Sequence, residues 1–164
     1  MARLLESALR RRALRWLVNL WGPYLLSGIS LTHLADDLSG AEVRMRLRPW
    51  NRNYVGTHFG GSLFAMCDPW FMILLQERLG PGYVVWDKSA SIRFRRPGRG
   101  TVRARFEVSP ERVEEIRRAA DAEGRVEPIF TARVTDEAGE LVAEVEKRLW
   151  VRRRGQAGDR RSAG

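Results

Sequence analysis

The chain has 164 residues, which allows one domain of ordinary size and leaves little room for a second. With 44% apolar residues, 30% charged residues and one cysteine, it is neither a disordered chain nor a disulfide framework, and it has no cysteine-based zinc site. The net charge of +9 sits at the ends: residues 1–26 hold five Arg against Glu6 and residues 147–164 hold seven Lys or Arg against Asp159, so the near-neutral middle carries no basic stripe to track a phosphate backbone.

Residues 4 to 21 place Leu4, Leu5, Ala8, Leu9, Ala13, Leu14, Trp16, Leu17, Leu20 and Trp21 at helical spacing with Arg10, Arg11, Arg12 and Arg15 between them. This predicts an amphipathic helix over 1–22, ended by Gly22 and Pro23. Basic helices with Trp can lie on a lipid surface. Packing of the apolar stripe on the protein body or on a partner subunit is the commoner role and the one expected here. The arginines also break the apolar run that a secretory signal needs, which points to a soluble cytoplasmic protein.

From Ile29 to Arg48 the pattern has period two, clearest in Val43, Met45 and Leu47 alternating with Arg44, Arg46 and Arg48, and it predicts two antiparallel strands turned at Ser39-Gly40. A polar loop, Pro49 to Thr57, leads to Gly60-Gly61-Ser62, which open a segment apolar on every side as far as Leu75 and therefore a buried helix. That segment is interrupted by Asp68 and Pro69 and is too short to span a bilayer. Alternation returns in Ala90, Ile92 and Phe94, breaks at Pro97-Gly98-Arg99-Gly100 and resumes in Val102, Ala104, Phe106 and Val108, which reads as a hairpin. Ser109, Pro110, Val113, Ile116, Ala120 and Gly124 mark a capped surface helix. Two final strands, Ile129 to Thr135 and Leu141 to Val151, flank the turn Asp136 to Gly139.

About six mostly antiparallel strands and one long buried helix predict a curved sheet wrapped round that helix, an α+β domain over 23–152. Its edge strands favour association into dimers. The tail over 153–164 has no apolar residue larger than Ala and is expected to be disordered. The two basic ends are expected to give weak, salt-sensitive contact with anionic membranes or nucleic acid, with no specific nucleic-acid recognition.

Chemistry concentrates between Asn51 and Asp68. Two glycines at a helix start let a substrate oxygen approach free N–H groups, where the helix dipole favours negative charge. Their bland role is close packing of the helix start. Asp68 is the one charged residue between His58 and Glu77 and lies in an apolar helix, where an unpaired carboxylate is costly. It is either a catalytic group or an internal cap or ion pair with an arginine. Gly60 and Asp68 lie about 12 Å apart along a helix rising ~1.5 Å per residue. If both act on one carbonyl, a two-fold axis must bring them together from two chains.

Cys67 is a thiol candidate but more naturally a small buried hydrophobe. His58 either orients substrate from the loop or is solvated there, and two distant histidines give no metal-ligand spacing, so no metal is expected. Lys88 is either a phosphate ligand or the partner of Asp87 or Glu77. Arg93, Arg95, Arg96 and Arg99 bracket the Pro97-Gly98 turn, where they could hold phosphates at a pocket mouth.

Phe59-Gly60-Gly61 with Asp68 resembles the His-Gly-Gly and downstream acidic pattern of hotdog-fold acyl-CoA thioesterases. The run Asn53 to Ser62, Asp68-Pro69 and Val85-Trp86-Asp87-Lys88 are similar to a bacterial branch often named tetrameric acyl-CoA thioesterases. The resemblance covers about residues 20 to 152. It implies a hotdog dimer, often paired into a tetramer, with active sites at the dimer interface. Gly60 or Gly61 would supply the oxyanion N–H, and Asp68 would be general base or nucleophile on the thioester. Asn53, Thr57, His58, Phe59, Trp70, Phe71, Trp86, Lys88, Arg95 and Arg96 are the expected substrate-binding set, and no cofactor is expected. One departure stands out: Phe59 occupies the position of the family's His, with His58 one step earlier. That departure supports an alternative, a hotdog module that binds acyl-CoA without turning it over.

Overall fold

A computed structural model describes residues 12–155. Residues 1–11 of the expected N-terminal helix and 156–164 of the basic tail therefore lie outside the described residues. A helix, α1, covers residues 12–20. Gly22 and Pro23 do not simply end it: Pro23, with its fixed φ and no needed N–H, sits in the first turn of a second short helix, α2, Gly22–Ser27. Gly28 closes α2 at φ 71°, a left-handed value that favours glycine.

The strands are β1 (Ile29–Leu34), β2 (Gly40–Arg46), β3 (Tyr83–Phe94), β4 (Thr101–Glu107), β5 (Arg125–Val126), β6 (Ile129–Thr135) and β7 (Leu141–Arg153). They form one sheet of seven strands, not six, in the order β1-β2-β4-β6-β7-β3, with the two-residue β5 on β7. The neighbouring pairs are antiparallel. The expected hairpin around Pro97 to Gly100 is not formed. β3 pairs with β7 from Tyr83↔Arg153 to Phe94↔Ala143, while β4 lies between β2 and β6, so the chain crosses the sheet at that turn. Local turn residues suit either connection, and the long β3–β7 ladder decides between them.

The buried helix is also in two pieces, α3 (Gly60–Ala65) and α4 (Trp70–Leu79). Pro69 has no N–H for the carbonyl of Ala65, which instead accepts from Asp68 N at 3.3 Å, while Cys67 N reaches Phe64 O at 2.9 Å. These i→i+3 bonds tighten the chain into a 3₁₀ turn that breaks the helix. α4 lies in the concave face of the sheet. Phe71 stacks on Phe130 at 4.9 Å and meets Phe106 edge-on at 5.3 Å, and Trp70, Leu74 and Leu75 are fully buried beside them. Helix α5 (Pro110–Glu123) matches expectation: Ser109 caps it by accepting from Arg112 N, Gly124 ends it, and Val113, Ile116 and Ala120 are its buried face. Arg117 of α5 donates to the carbonyls of Arg78 and Leu79, which closes the C-terminus of α4.

The loop before α3 is tied down on both sides. The Asn51 side chain accepts from Arg48 N at 2.7 Å and donates to Ser27 O at 2.8 Å and Arg46 O at 2.9 Å, which fixes the loop to the α2–β1 corner and to the end of β2. Asn53 and Thr57 bond each other through side chain and backbone. His58 is buried under Gly98; its N–H reaches Gly98 O at 3.0 Å and its Nε2 lies 3.1 Å from Gly100 O. An acceptor at that place puts the ring proton on Nε2, and Nδ1, also buried, makes no hydrogen bond. Burial accordingly pushes the His58 pKa below its ordinary value of 6.5, with the bond to Gly100 opposing in part.

The sign of the stability effect follows. The unfolded chain takes up a proton on this imidazole below pH 6.5 while the folded chain resists, so the contribution is present above that value and is lost as pH falls towards the folded pKa. Thermal unfolding midpoints should drop between pH 7 and pH 5. Part of that drop should vanish in His58→Gln, whose amide keeps a donor for Gly100 O. A pH dependence identical in the variant would contradict this account.

Candidate active site

Two constellations occur, one at each end of α3. At its start Asn53, Thr57, His58, Gly60, Arg95 and Arg96 line a cleft of about 500 Å³ together with Phe94 and Gly98. The sequence expectations that meet there are thus the loop residues, the first glycine and two of the arginines. Both glycines lie tight against aromatic rings: a Cβ on Gly60 would lie 2.8 Å from Phe94 Cζ and one on Gly61 2.4 Å from Phe59 Cε1, so either substitution would have to push a half-exposed ring aside. The close-packing role is therefore real. It coexists with main-chain donors, since the first N–H groups of a helix have no partner within it and no side chain caps α3. Phe59 and Phe94, whose rings crowd these two glycines, are half-exposed.

Arg95 and Arg96 are not free anion ligands. Arg95 lies 3.5 Å from Glu144 and Arg96 pairs with Glu140 at 2.5 Å, both on the surface, where such pairs exchange readily with solvent or a ligand. His58 is neither the solvated loop residue nor an exposed substrate contact; it is a buried pin between the loop and the Pro97–Gly100 turn.

At the other end of α3, the break at Pro69 presents Asp68. Its carboxylate is neither an internal cap nor an arginine partner. Asp68 Oδ1 lies 2.8 Å from the ammonium of Lys147, which also donates to Asp68 O at 2.9 Å and lies 2.9 Å from Asp87 Oδ1. Lys147 is 1% exposed, whereas Asp68 is 45% exposed. A lysine ammonium has three N–H donors and here meets three oxygens, with the Phe64 ring 5.9 Å away. The carbonyl of Asp68, released from the α-helical ladder by the break, thus finds a donor.

Strand geometry puts Lys147 there. On β7 Val145, Lys147, Leu149 and Val151 alternate inward and are all buried. Opposite them β3 carries a bulge at Lys88, since the register runs Asp87↔Leu149 and then Ser89↔Arg148 and Ala90↔Lys147. The extra residue lets Asp87 and the small Ala90 both face the lysine. Sequence patterns do not single out Lys147 as a site residue, and they give Asn51 and Asp87, though both lie inside the motif stretches, no role in the site. The available signal was a lysine at an inward position in a chain that otherwise chooses arginine, with Lys88 the one other lysine.

Several expected substrate contacts lie elsewhere. Trp70 is in the core, donating from Nε1 to Tyr24 Oη at 2.8 Å while Tyr24 donates to Met66 O at 3.0 Å. Phe71 is buried in its aromatic stack, and the cavity it touches is a different one, beside Arg103 and Arg133. Trp86 and Lys88 flank the inward-facing Asp87 on the opposite face of β3. Trp86 is exposed there across from Trp150, and Lys88 pairs at 2.5 Å with Glu127, not with Asp87 or Glu77. Cys67 is fully buried and desolvation pushes its thiol up to about 12, which leaves it a small hydrophobe. Among the described residues no helix is long and apolar enough to cross a membrane.

This architecture is shared with solved structures. A Pseudomonas aeruginosa protein described as of unknown function and a probable thioesterase superposes with a TM-score of 0.79 at 25% identity, over 87% of this chain and 95% of that one. A thioesterase from Haemophilus influenzae gives a TM-score of 0.61 at 15% identity, over 83% and 86% of the two chains. A protein of unknown function from Chlorobaculum tepidum gives 0.70 at 14% identity, over 87% and 93%. No curated protein matches the chain in sequence. The profile of the family described as "Domain of unknown function (DUF4442)" matches residues 10–151, and the chain belongs to that family.

Proposed function

We propose that this protein is a hotdog-fold thioesterase that hydrolyses an acyl-CoA or acyl-carrier thioester, with Asp68 as the reacting carboxylate. The observation that carries the reading is the Asp68–Lys147 pair. A buried ammonium holds one carboxylate oxygen at 2.8 Å while the side chain remains nearly half open to solvent. That arrangement fixes the carboxylate's direction and leaves its second oxygen for chemistry. The similarity to the Pseudomonas and Haemophilus structures supports the same class of reaction.

In the general-base route Asp68 takes a proton from water as the oxygen bonds to the thioester carbon. The Gly60 and Gly61 N–H groups receive the developing oxyanion. The C–S bond then breaks, the sulfur leaves as the thiol with the proton held by Asp68, and the acyl group leaves as a carboxylic acid. In the nucleophilic route Asp68 attacks the same carbon, the C–S bond breaks and the sulfur leaves as thiolate; water then cleaves the mixed anhydride into the acyl acid and the Asp68 acid, whose proton passes to the thiolate. Either route needs the donors and the carboxylate on one carbonyl, so the site is composite and the working form is at least a dimer. The long edge of β3, without a partner strand among the described residues, suits that role: it terminates the sheet, and its side chains from Trp86 to Phe94 are mostly exposed. Paired dimers would make the tetramer.

A second reading, an acyl-CoA-binding module without turnover, is favoured by Phe59. Its ring fills the space beside Gly61 where the resembling family has His.

Release of free thiol from acyl-CoA substrates of graded chain length tests both. Asp68→Asn should lower turnover by about 10²–10⁴-fold, the usual scale for a lost acid or base. Saturable binding with no hydrolysis across the series would favour the binding module. Two inactive variants, Asp68→Asn and Gly60→Val, should regain about a quarter of wild-type activity when mixed and allowed to re-equilibrate, because half the dimers then hold one intact composite site. No recovery on mixing would place both elements in one chain. Lys147→Met should cost about 1–3 kcal/mol of stability, reduced from the value for a fully buried pair by the solvent around Asp68 and Asp87. It should also lower turnover; equal activity and equal stability would remove Lys147 from the site.

A further inference from the structure

Helix α1 is mounted the opposite way to an ordinary surface helix. Its polar side chains hold it to the sheet: Asn19 accepts from Leu31 N at 2.7 Å and donates to Leu31 O at 3.4 Å, and Arg15 donates to Thr32 O at 3.1 Å. Of its apolar residues only Leu14 and Val18 turn to the core. Ala13, Trp16, Leu17 and Leu20, spaced i, i+3, i+4 and i+7, form a stripe that faces out, with Trp16 67%, Leu17 69% and Leu20 61% exposed. Trp21 and, on α2, Leu25 and Leu26 extend the same apolar surface. The expected packing of this stripe on the protein's own body is therefore not what the chain does.

We infer that this stripe docks on a lipid bilayer bearing anionic headgroups. The face is a convex helix with two tryptophans and several leucines, a shape and chemistry that sink into the headgroup boundary. Arg12 is exposed on α1 beside the stripe, and in sequence residues 1–26 carry five Arg against a single Glu, so the net charge of this segment complements an anionic surface. The same charge disfavours a second copy as the cover, since two stripes face to face would bring two arginine-rich segments together. The surface is also joined to the catalytic helix: Tyr24 of α2 donates to Met66 O and accepts from Trp70, on either side of the break that presents Asp68. Docking would hold that break close to the phase in which long-chain acyl groups reside. The inference itself does not rest on the thioesterase reading.

The test uses the whole chain with vesicles of phosphatidylcholine, with and without phosphatidylglycerol, separated by flotation. Wild type should float with the phosphatidylglycerol vesicles, less so as salt rises. The charge-neutral double variant Leu17→Ser/Leu20→Ser should lose roughly tenfold or more of that partitioning. Its thermal midpoint and its mass in solution should be unchanged, because both leucines are exposed. Wild type that fails to float would overturn the inference, as would a variant that floats equally well, which would assign the contact to charge alone. A fall in solution mass in the variant would overturn it too, by making the stripe an interface between copies.

Discussion

A proline in a buried helix removes one main-chain donor, and the loss at Pro69 determines how the surroundings of Asp68 are built. The turn tightens, Ala65 O takes Asp68 N, and Asp68 O is left needing a donor that the helix no longer supplies. Lys147 reaches it from the middle of β7. A buried ammonium is costly unless it is paired, so the lysine in turn requires carboxylates, and Asp68 and Asp87 provide them. For Asp87 to face inward while the next inward position stays small enough for the lysine, β3 needs its bulge at Lys88 and Ala90 beyond it. Two carboxylates against one ammonium leave an excess negative charge, and it sits on the wetter part of the cluster, at Asp68 and Asp87.

The other end of α3 follows different physics. Gly60 and Gly61 lie against the rings of Phe94 and Phe59, and Gly60 and Phe94 also line the cleft there. Those rings are half-exposed, so each can move away from the glycine it crowds. Under the thioesterase reading, a substrate that reaches the start of α3 passes beside these aromatic rings.

Much of this fold could be read from residue patterns alone. Period-two runs located the strands, Ser109 and Gly124 bounded α5 almost to the residue, and Asp68 stood out as a charge where burial made charge expensive. Pairing partners were not readable. The Pro97–Gly100 turn has hairpin chemistry, yet the strands on either side of it lie apart in the sheet because pairing is decided by non-local ladders. Lys147 was hidden for a related reason: its value comes from Asp68 and Asp87, which are 79 and 60 positions away in sequence. Trp70 and Phe71 looked like a pocket lining because an aromatic on an apolar helix has the same signature whether it faces a cavity or the core. The stripe on α1 shows the same ambiguity, since periodicity identifies an apolar face but not the direction in which it is mounted.

The two edges of the sheet are finished in different ways, and this separates the two exposed apolar regions. At the β1 edge the Asn19 amide offers Leu31 the donor and acceptor that a neighbouring strand would have offered, so that edge is partly closed by a side chain. Closing it costs α1 its polar face, which turns the Trp16–Leu20 stripe outward. At the opposite end of the strand order β3 has no such cover among the described residues, and Phe94 is exposed along it beside Gly60 at the α3 start. A strand edge with unpaired main-chain groups is satisfied by another strand, because each N–H and C=O needs a directed partner. A helix face whose main chain is already bonded has no such requirement, and any apolar phase can cover it. The β3 edge therefore suits a second copy of the chain and the α1 stripe suits a bilayer, and since they lie at opposite ends of the sheet neither association blocks the other.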